Sequence, residues 1–268
     1  MNEKDNAENI RAIQSDKHRR EVEQRRTQDE KKKQTPWYVE IPMVIVLTLI
    51  FMALVQGLVG RVYVIPSQSM EPTLHGCAGC TGDRIFVEKI SYYFSDPEPG
   101  DVIVFEGTES WNQNYVSQRS ENPVLRGLQT VGAFAGLVVP DENILVKRVI
   151  ATGGQTVQCL PGDAGVTVDG AVVDSHFIEQ PSQYPVNPDH GSEACGGDYF
   201  GPITVPDRHL FMMGDNRTNS ADSRYHLNDT SSGTIPIENV RGKVEAIVYP
   251  FSRIGFIEDF DIQATPAQ

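Results

Sequence analysis

Hydrophobic and polar positions divide the chain into three stretches with different rhythms. Through residue 36, charges and glutamines crowd out apolar positions and no heptad is sustained, so a solvated tail or a frayed helix is expected there. From Ile41 to Gly60 the sequence IPMVIVLTLIFMALVQGLVG runs 20 residues without a charge. At about 1.5 Å per residue such a helix covers about 30 Å, one hydrocarbon thickness. A buried core helix would keep a polar face, whereas this stretch is apolar all round until Gln56, and the pattern predicts a membrane span.

Beyond Arg61 the rhythm changes to short β-rich runs: RIFVEKI (84–90), DVIVFE (101–106), NILVKRVIA (143–151), QTVQC (155–159), VTVDGAVV (166–173), HLFMMGD (209–215) and GKVEAIVYP (242–250). Gly, Pro and Asp-Gly punctuate them, and Asp169-Gly170 is a two-residue hairpin signal. No ten-residue amphipathic helix is expected after the span. The predicted organisation is a polar tail over 1–36, an anchor over 37–60 and a predominantly antiparallel β domain over 61–268. Two segments interrupt that domain. One is 107–139, whose apolar end VGAFAGLVV (131–139) is too short to cross a bilayer and reads as a buried strand or a loop dipping into the interface. The other, 177–206, is crowded with Pro, Gly and Ser and reads as an irregular loop.

Charge sharpens this division. The 268 residues carry 23 Lys/Arg and 36 Asp/Glu; residues 1–36 hold 10 and 8 of them, so the remainder holds 13 and 28, a net of −15. That surface repels a phosphate backbone, which argues against nucleic-acid binding. Arg19, Arg20, Arg25, Arg26, Lys31, Lys32 and Lys33 precede the span and only Arg61 follows closely, so the N-terminus is expected inside and 61–268 outside. About 36 polar residues before the apolar run are too many for the short basic start of a cleaved leader, and an uncleaved anchor is expected.

All four cysteines, Cys77, Cys80, Cys159 and Cys195, fall in the part placed outside, where disulfides are the default. Of the three pairings, Cys77–Cys80 with Cys159–Cys195 is favoured, because the second bridge ties down the irregular segment for up to about 3.8 kcal/mol of chain entropy. A zinc site lacks a second closely spaced cysteine pair, and a thioredoxin-like role would want a helix after CAGC where a strand-like run follows.

Three clusters carry candidate chemistry. YVIPSQSMEPTL (63–74) sets Ser67 and Ser69 between two prolines just after the span; a hydroxyl there is only a turn former unless a base removes its proton. The patterns GxSxG, SxxK and HExxH are absent, and none of the six histidines lies in a dense polar motif. In NILVKRVIA, alternation puts Leu145, Lys147, Val149 and Ala151 on one face and Val146, Arg148 and Ile150 on the other. On such a strand Lys147 either lies on a solvated face or is desolvated among its apolar neighbours; in the second case the neutral amine that results can take a proton from serine, which Arg148 could not do. MGDNRTNSADSRY (213–225) is a turn-rich loop or a hydrogen-bonded platform for a base; it lacks the spacing of a calcium loop.

Together PSQSMEPTL, GDRIFVEKI, KRVIATGG and MGDNRTNSADSR resemble, in order and behind an anchor, the boxes of the bacterial type I signal peptidase family of membrane-anchored serine proteases. The resemblance implies an all-β, antiparallel, partly barrel-like domain behind one N-terminal transmembrane helix, with no metal and no organic cofactor. It implies Ser69 as nucleophile and Lys147 as general base, with Ser67 joining the Ser69 N–H in the oxyanion hole. Ser220 would orient the lysine amine, supported by Asp215, Asp222 and Arg224. Tyr63, Ile65, Met70, Leu74 and Val146 would shape pockets for small side chains, hence cleavage after Ala-x-Ala. Implied partners are secretory preproteins, membrane lipid and a place near the export translocon. Thr218 departs from the Asp that many relatives carry. A sortase-like enzyme would need a catalytic cysteine, and Ser/Lys repressor proteases are soluble and DNA-linked; a membrane-anchored binding module without catalysis is the competing class.

Overall fold

The computed structural model describes residues 15–25, 36–77, 79–112, 119–134 and 143–263. The chain forms two compact units, Met1–Phe51 and Met52–Gln268. The first holds a helix over 15–25 (α1) and most of α2, Trp37–Leu58, which has no buried residue. Its mean hydropathy of 2.4 and 22-residue length suit a bilayer crossing. Pro42, the sixth residue of the helix, removes one backbone bond, the one that an N–H at this position would make to Tyr38 O.

The second unit is antiparallel throughout. Its large sheet runs β1 (Gly60–Val64), β2 (Arg84–Glu88), β13 (Val240–Tyr249), β3 (Val102–Glu106), β4 (Ile144–Thr152), β11 (His209–Met213), β12 (Ile235–Pro236), with β14 (Gly255–Phe256) also paired to β13. Its strand order ends at β1 on one side and β12 on the other. A four-stranded sheet follows the order β10 (Phe200–Thr204), β5 (Thr156–Cys159), β6 (Thr167–Val168), β7 (Ala171–Val172), and β8 (Gly191–Ser192) pairs with β9 (Gly197–Asp198). The Asp169-Gly170 signal is realised as a two-residue turn: Val168 faces Ala171, and both turn residues have positive φ, 51° and 82°.

Alternation on β3 decides where the core lies. Val102 and Val104 join Ile65, Met70, Leu74, Ile85 and Val87 in one cluster, while Ile103 and Phe105 join Val149, Leu210, Met212 and Ile235 in another. A third cluster, around the Cys159–Cys195 disulfide, fills the space under the small sheet. Cys77 and Cys80 form the other disulfide.

Three expectations need correction. First, the segment after the span does contain an amphipathic helix, α3 (Pro123–Phe134). Asn122 Oδ1 accepts from Val124 N at 3.0 Å and Pro123 occupies the first turn, a capped start that Gly127, Thr130, Val131 and Gly132 disguise in the sequence. Residues 131–134 are therefore the end of a helix, neither strand nor loop; 135–139 lie outside the described residues. Second, 177–206 is less irregular than expected, because β8, β9 and β10 lie inside it. Third, alternation on β4 breaks: the β4–β11 register shifts between Phe211 and Met212, and Ile150 and Ala151 enter the same cluster.

Candidate active site

Ser69 lies on the turn that follows β1. Met70 and Leu74 pin that turn by burying 99% and all of their surface, and Leu74 N closes it on Met70 O at 2.8 Å. Thr73 Oγ1 donates to Asp215 Oδ2 at 2.5 Å, and Asn216 N donates to Ser69 O at 3.2 Å, so the first and third sequence clusters hold each other. Lys147 enters from β4, opposite Ile103 on β3. Its amine donates to Ser69 Oγ at 2.7 Å and to Val146 O at 3.0 Å. Among the described residues no carboxylate pairs with it. Ser67 Oγ lies 3.3 Å from Ser69 Oγ and is exposed.

Burial without a counter-ion sets the chemistry of the amine. Lys147 is brought down from 10.5 to about 8, chiefly by desolvation; Asp222 and Asp215 pull it up at longer range and Arg224 pushes it down. A substantial neutral fraction is therefore present near physiological pH. Ser69 then faces a nitrogen that can accept a hydrogen.

The surrounding charges are paired. Arg148 grips Asp215 with Nε at 2.9 Å and Nη2 at 2.7 Å, its Nη1 donates to Gly100 O at 2.8 Å, and Phe177 and Phe260 face its guanidinium at 4.2 and 5.3 Å. Burial alone would raise the Asp222 carboxyl, but Arg224 Nε and Nη2 at 2.9 and 2.8 Å and the Gly214 N–H at 3.0 Å hold it below the usual carboxylate range. Arg224 also donates to Arg217 O at 2.7 Å and Gly196 O at 2.9 Å, which makes it a clip across the loop.

Ser220 sits differently from the sequence expectation. Its hydroxyl is buried and close enough to Asp222 to help hold that carboxyl down, but it is outside good hydrogen-bond geometry and makes no bond to the Lys147 amine. It packs against Gly214, where a Cβ would meet Ser220 Oγ at 2.2 Å and Ser69 O at 2.4 Å. Only glycine lets both serines approach this backbone. Of the five expected pocket residues, Ile65, Met70 and Leu74 are core members, and Tyr63 and Val146 pack on the same cluster while keeping partial exposure. Of the five, only Tyr63 and Val146 keep surface accessible to solvent.

Sequence reasoning missed Thr73, Asn216, Arg217 and Gln183. Thr73 links Asp215 to the serine turn, and Arg217 is buried, its Nε on Gly214 O at 3.1 Å. Burial and then Arg224 lower Arg217 to about 10, so it stays charged at neutral pH. These three lie inside the flagged motifs, which was the available signal. Gln183 joins Asn216 and Asn219 at 2.6 and 2.9 Å from a distant loop and had none. Thr218, the departure from the family pattern, accepts from Tyr184 N at 3.1 Å and so fastens that same loop. Among the described residues no group of three or more His, Cys, Asp or Glu could hold a metal ion.

Comparison with known proteins points one way. The family described as "Signal peptidase, peptidase S26" matches residues 38–249. "Probable signal peptidase I" of Mycobacterium leprae is 50% identical over 247 residues, covering 87% of this chain and 83% of that protein. "Signal peptidase I" of Mycobacterium tuberculosis is 47% identical over 235 residues, covering 84% and 76%. A solved signal peptidase I from Enterococcus faecalis overlays 56% of this chain and 97% of that one at 18% identity and a TM-score of 0.34, too loosely to bear on the assignment. On the family match and the two mycobacterial relatives, this chain belongs to the signal peptidase family, peptidase S26.

Proposed function

We propose that this chain is a membrane-anchored serine endopeptidase that removes N-terminal signal peptides from exported preproteins, with Ser69 as nucleophile and Lys147 as general base. Family membership supports the substrate class. The observation that carries the residue roles is the 2.7 Å bond from Lys147 Nζ to Ser69 Oγ, made by a buried amine without a carboxylate partner.

The steps follow from that geometry. The neutral Lys147 amine takes the hydroxyl proton as Ser69 Oγ bonds to the scissile carbonyl carbon, and the carbonyl oxygen becomes an oxyanion. Ser67 Oγ, 3.3 Å from the nucleophile, and the Ser69 N–H are the donors assigned to that oxyanion; such donors are each worth about 3–4 kcal/mol in the transition state. The ammonium of Lys147 then gives its proton to the departing amine as the C–N bond breaks. Lys147, neutral again, takes a proton from water as the water oxygen bonds to the acyl carbon, and returns that proton to Ser69 Oγ as the ester C–O bond breaks and the carboxylic acid leaves.

Ser220, Asp215, Asp222 and Arg224 act by positioning. Asp215 ties β4 to the serine turn through Arg148 and Thr73, and Asp222 fixes Gly214, against which both serines pack. Tyr63 and Val146 favour small substrate side chains, in keeping with cleavage after Ala-x-Ala. A strand-like peptide would be held by main-chain bonds to a sheet edge, and β1 is a terminal strand of the large sheet. The cation bias before α2 supports a cytoplasmic tail and an external domain.

The test is cleavage of a purified preprotein with an Ala-x-Ala site by the full chain, with the new N-terminus sequenced. Cleavage after the second alanine, lost in Ser69→Ala, is expected. Unchanged cleavage in Ser69→Ala refutes the roles, and failure of Ser69 to react with a serine-directed acylating probe in the folded protein would favour a binding module.

A further inference from the structure

The helix α3 stands out because its apolar side is uncovered. Val124, Leu125, Leu128 and Val131 are 71%, 51%, 64% and 68% exposed, and at 100° per residue they fall in one sector of about 120°. The opposite sector carries Arg126, Gln129, Thr130 and Ala133. Gln129 Oε1 accepts from Ser120 N at 2.9 Å and Ala133 is buried, so the helix is attached through these two positions of the polar side, while Arg126 and Thr130 stay exposed. A one-sided helix normally faces its apolar stripe inward. Here the stripe faces away.

What lies outside it follows from how α3 is tethered. Arg61 Nη2 donates to Ala133 O at 3.0 Å and caps the C-terminal end of α3, while its Nε donates to Gln56 Oε1 at 3.2 Å, in the last turns of α2. Lys89 Nζ donates to Gln56 O and Gly57 O at 3.2 and 3.3 Å, fixing β2 to the same helix end. One guanidinium thus holds the end of α3 at the level where the apolar anchor leaves the bilayer. Charge agrees with that placement. α3 has Arg126 as its sole charged residue, in a region 37–268 of net charge −15, so this face of an acidic domain escapes repulsion by anionic headgroups.

We propose that α3 lies in the plane of the outer membrane interface, with Val124, Leu125, Leu128 and Val131 seated at the boundary of headgroups and acyl chains. The proposal rests on the reading of α2 as a membrane span. It gives the domain a second point of attachment to lipid, a dozen residues long, which limits how far the domain can tilt about the anchor.

The test uses the full-length protein in phosphatidylcholine vesicles containing phosphatidylglycerol. All four native cysteines are in disulfides, so single introduced cysteines can carry an environment-sensitive fluorophore. Labels are placed through Leu128→Cys and Val131→Cys on the stripe, Thr130→Cys on the opposite side, and Leu47→Cys within α2. Vesicles doped with spin-labelled lipid should quench positions 128 and 131 about twofold or more over position 130, and should also quench position 47. Quenching at 47 with 128 and 131 no different from 130 overturns the proposal and leaves the anchor standing. No quenching at 47 removes the anchor and the proposal together. A blue shift at 128 that grows with protein density but ignores the spin-labelled lipid means that a second copy of the chain covers the stripe, and this also overturns the proposal.

Discussion

Lys147 and Arg148 are consecutive on β4, both are buried, and they meet opposite fates. Asp215 binds Arg148 through two nitrogens, and Gly100 O and two aromatic faces satisfy the rest of the guanidinium. Lys147 is equally removed from water but bonds only a hydroxyl and a carbonyl, so its charged form loses solvation without gaining a counter-ion. The difference teaches that burial alone does not assign a cation's role. A paired arginine is a strut, whereas a lysine buried without a counter-ion becomes a base.

The largest effect expected is on catalysis. Replacing Ser69 with Ala, or Lys147 with Arg, should lower preprotein cleavage by about a thousandfold or more, because a permanently charged guanidinium cannot take the proton. Circular dichroism should show both variants folded; appreciable turnover by Lys147→Arg would abolish the distinction between the two neighbours. Breaking the strut should act on stability. Arg148→Met strands the Asp215 charge and should cost about 3–5 kcal/mol in urea titrations, with Arg148→Met/Asp215→Leu recovering much of the loss. A loss below about 1 kcal/mol would mean that the pair is not the strut described.

The third prediction reverses that sign at the adjacent residue. The folded-state value of Lys147, about 8, lies below its ordinary 10.5, so between those values the unfolded chain binds the extra proton and stability rises with pH. The full cost applies below about 8 and vanishes above about 10.5. At 1.36 kcal/mol per unit it is about 3 kcal/mol, so Lys147→Met should be more stable than the parent at pH 7, with the gap closing above pH 10.5. An unchanged urea midpoint at both pH values would contradict the uncompensated burial. The smallest effect is on the pH profile: kcat/KM should rise about tenfold per unit up to about pH 8 and then level off, as the neutral amine fills. An acidic limb centred near 10 would detach proton acceptance from burial.

The parts of this architecture that depend on local rhythm were legible in the sequence. The apolar run that becomes α2, the alternation that becomes β2, β3, β11 and β13, and the Asp169-Gly170 turn each need only a few consecutive residues. The helix α3 escaped because its Asn122-Pro123 start reads equally as a turn and two glycines and three β-branched residues interrupt its helix formers. The bulge at Ile150-Ala151 escaped because a one-residue register shift is set by the partner strand β11. At the site, the motifs marked Ser69 and Lys147 as residue types, while Gln183 and Thr73 acquired their partners from loops far away in the chain.

Chain order and residue type alone determined an anchor of bilayer length, a β domain beyond it, and an amine and a hydroxyl in separate motifs, since these are properties of short windows and of composition. Tertiary structure decided the rest: that residues 78 positions apart meet at 2.7 Å, that Asp215 selects Arg148 and leaves Lys147 unpaired, and that α3 turns its apolar side outward. The physical reason is that desolvation and pairing depend on which atoms crowd a group, and those atoms come from strands and loops that only the folded sheet brings together.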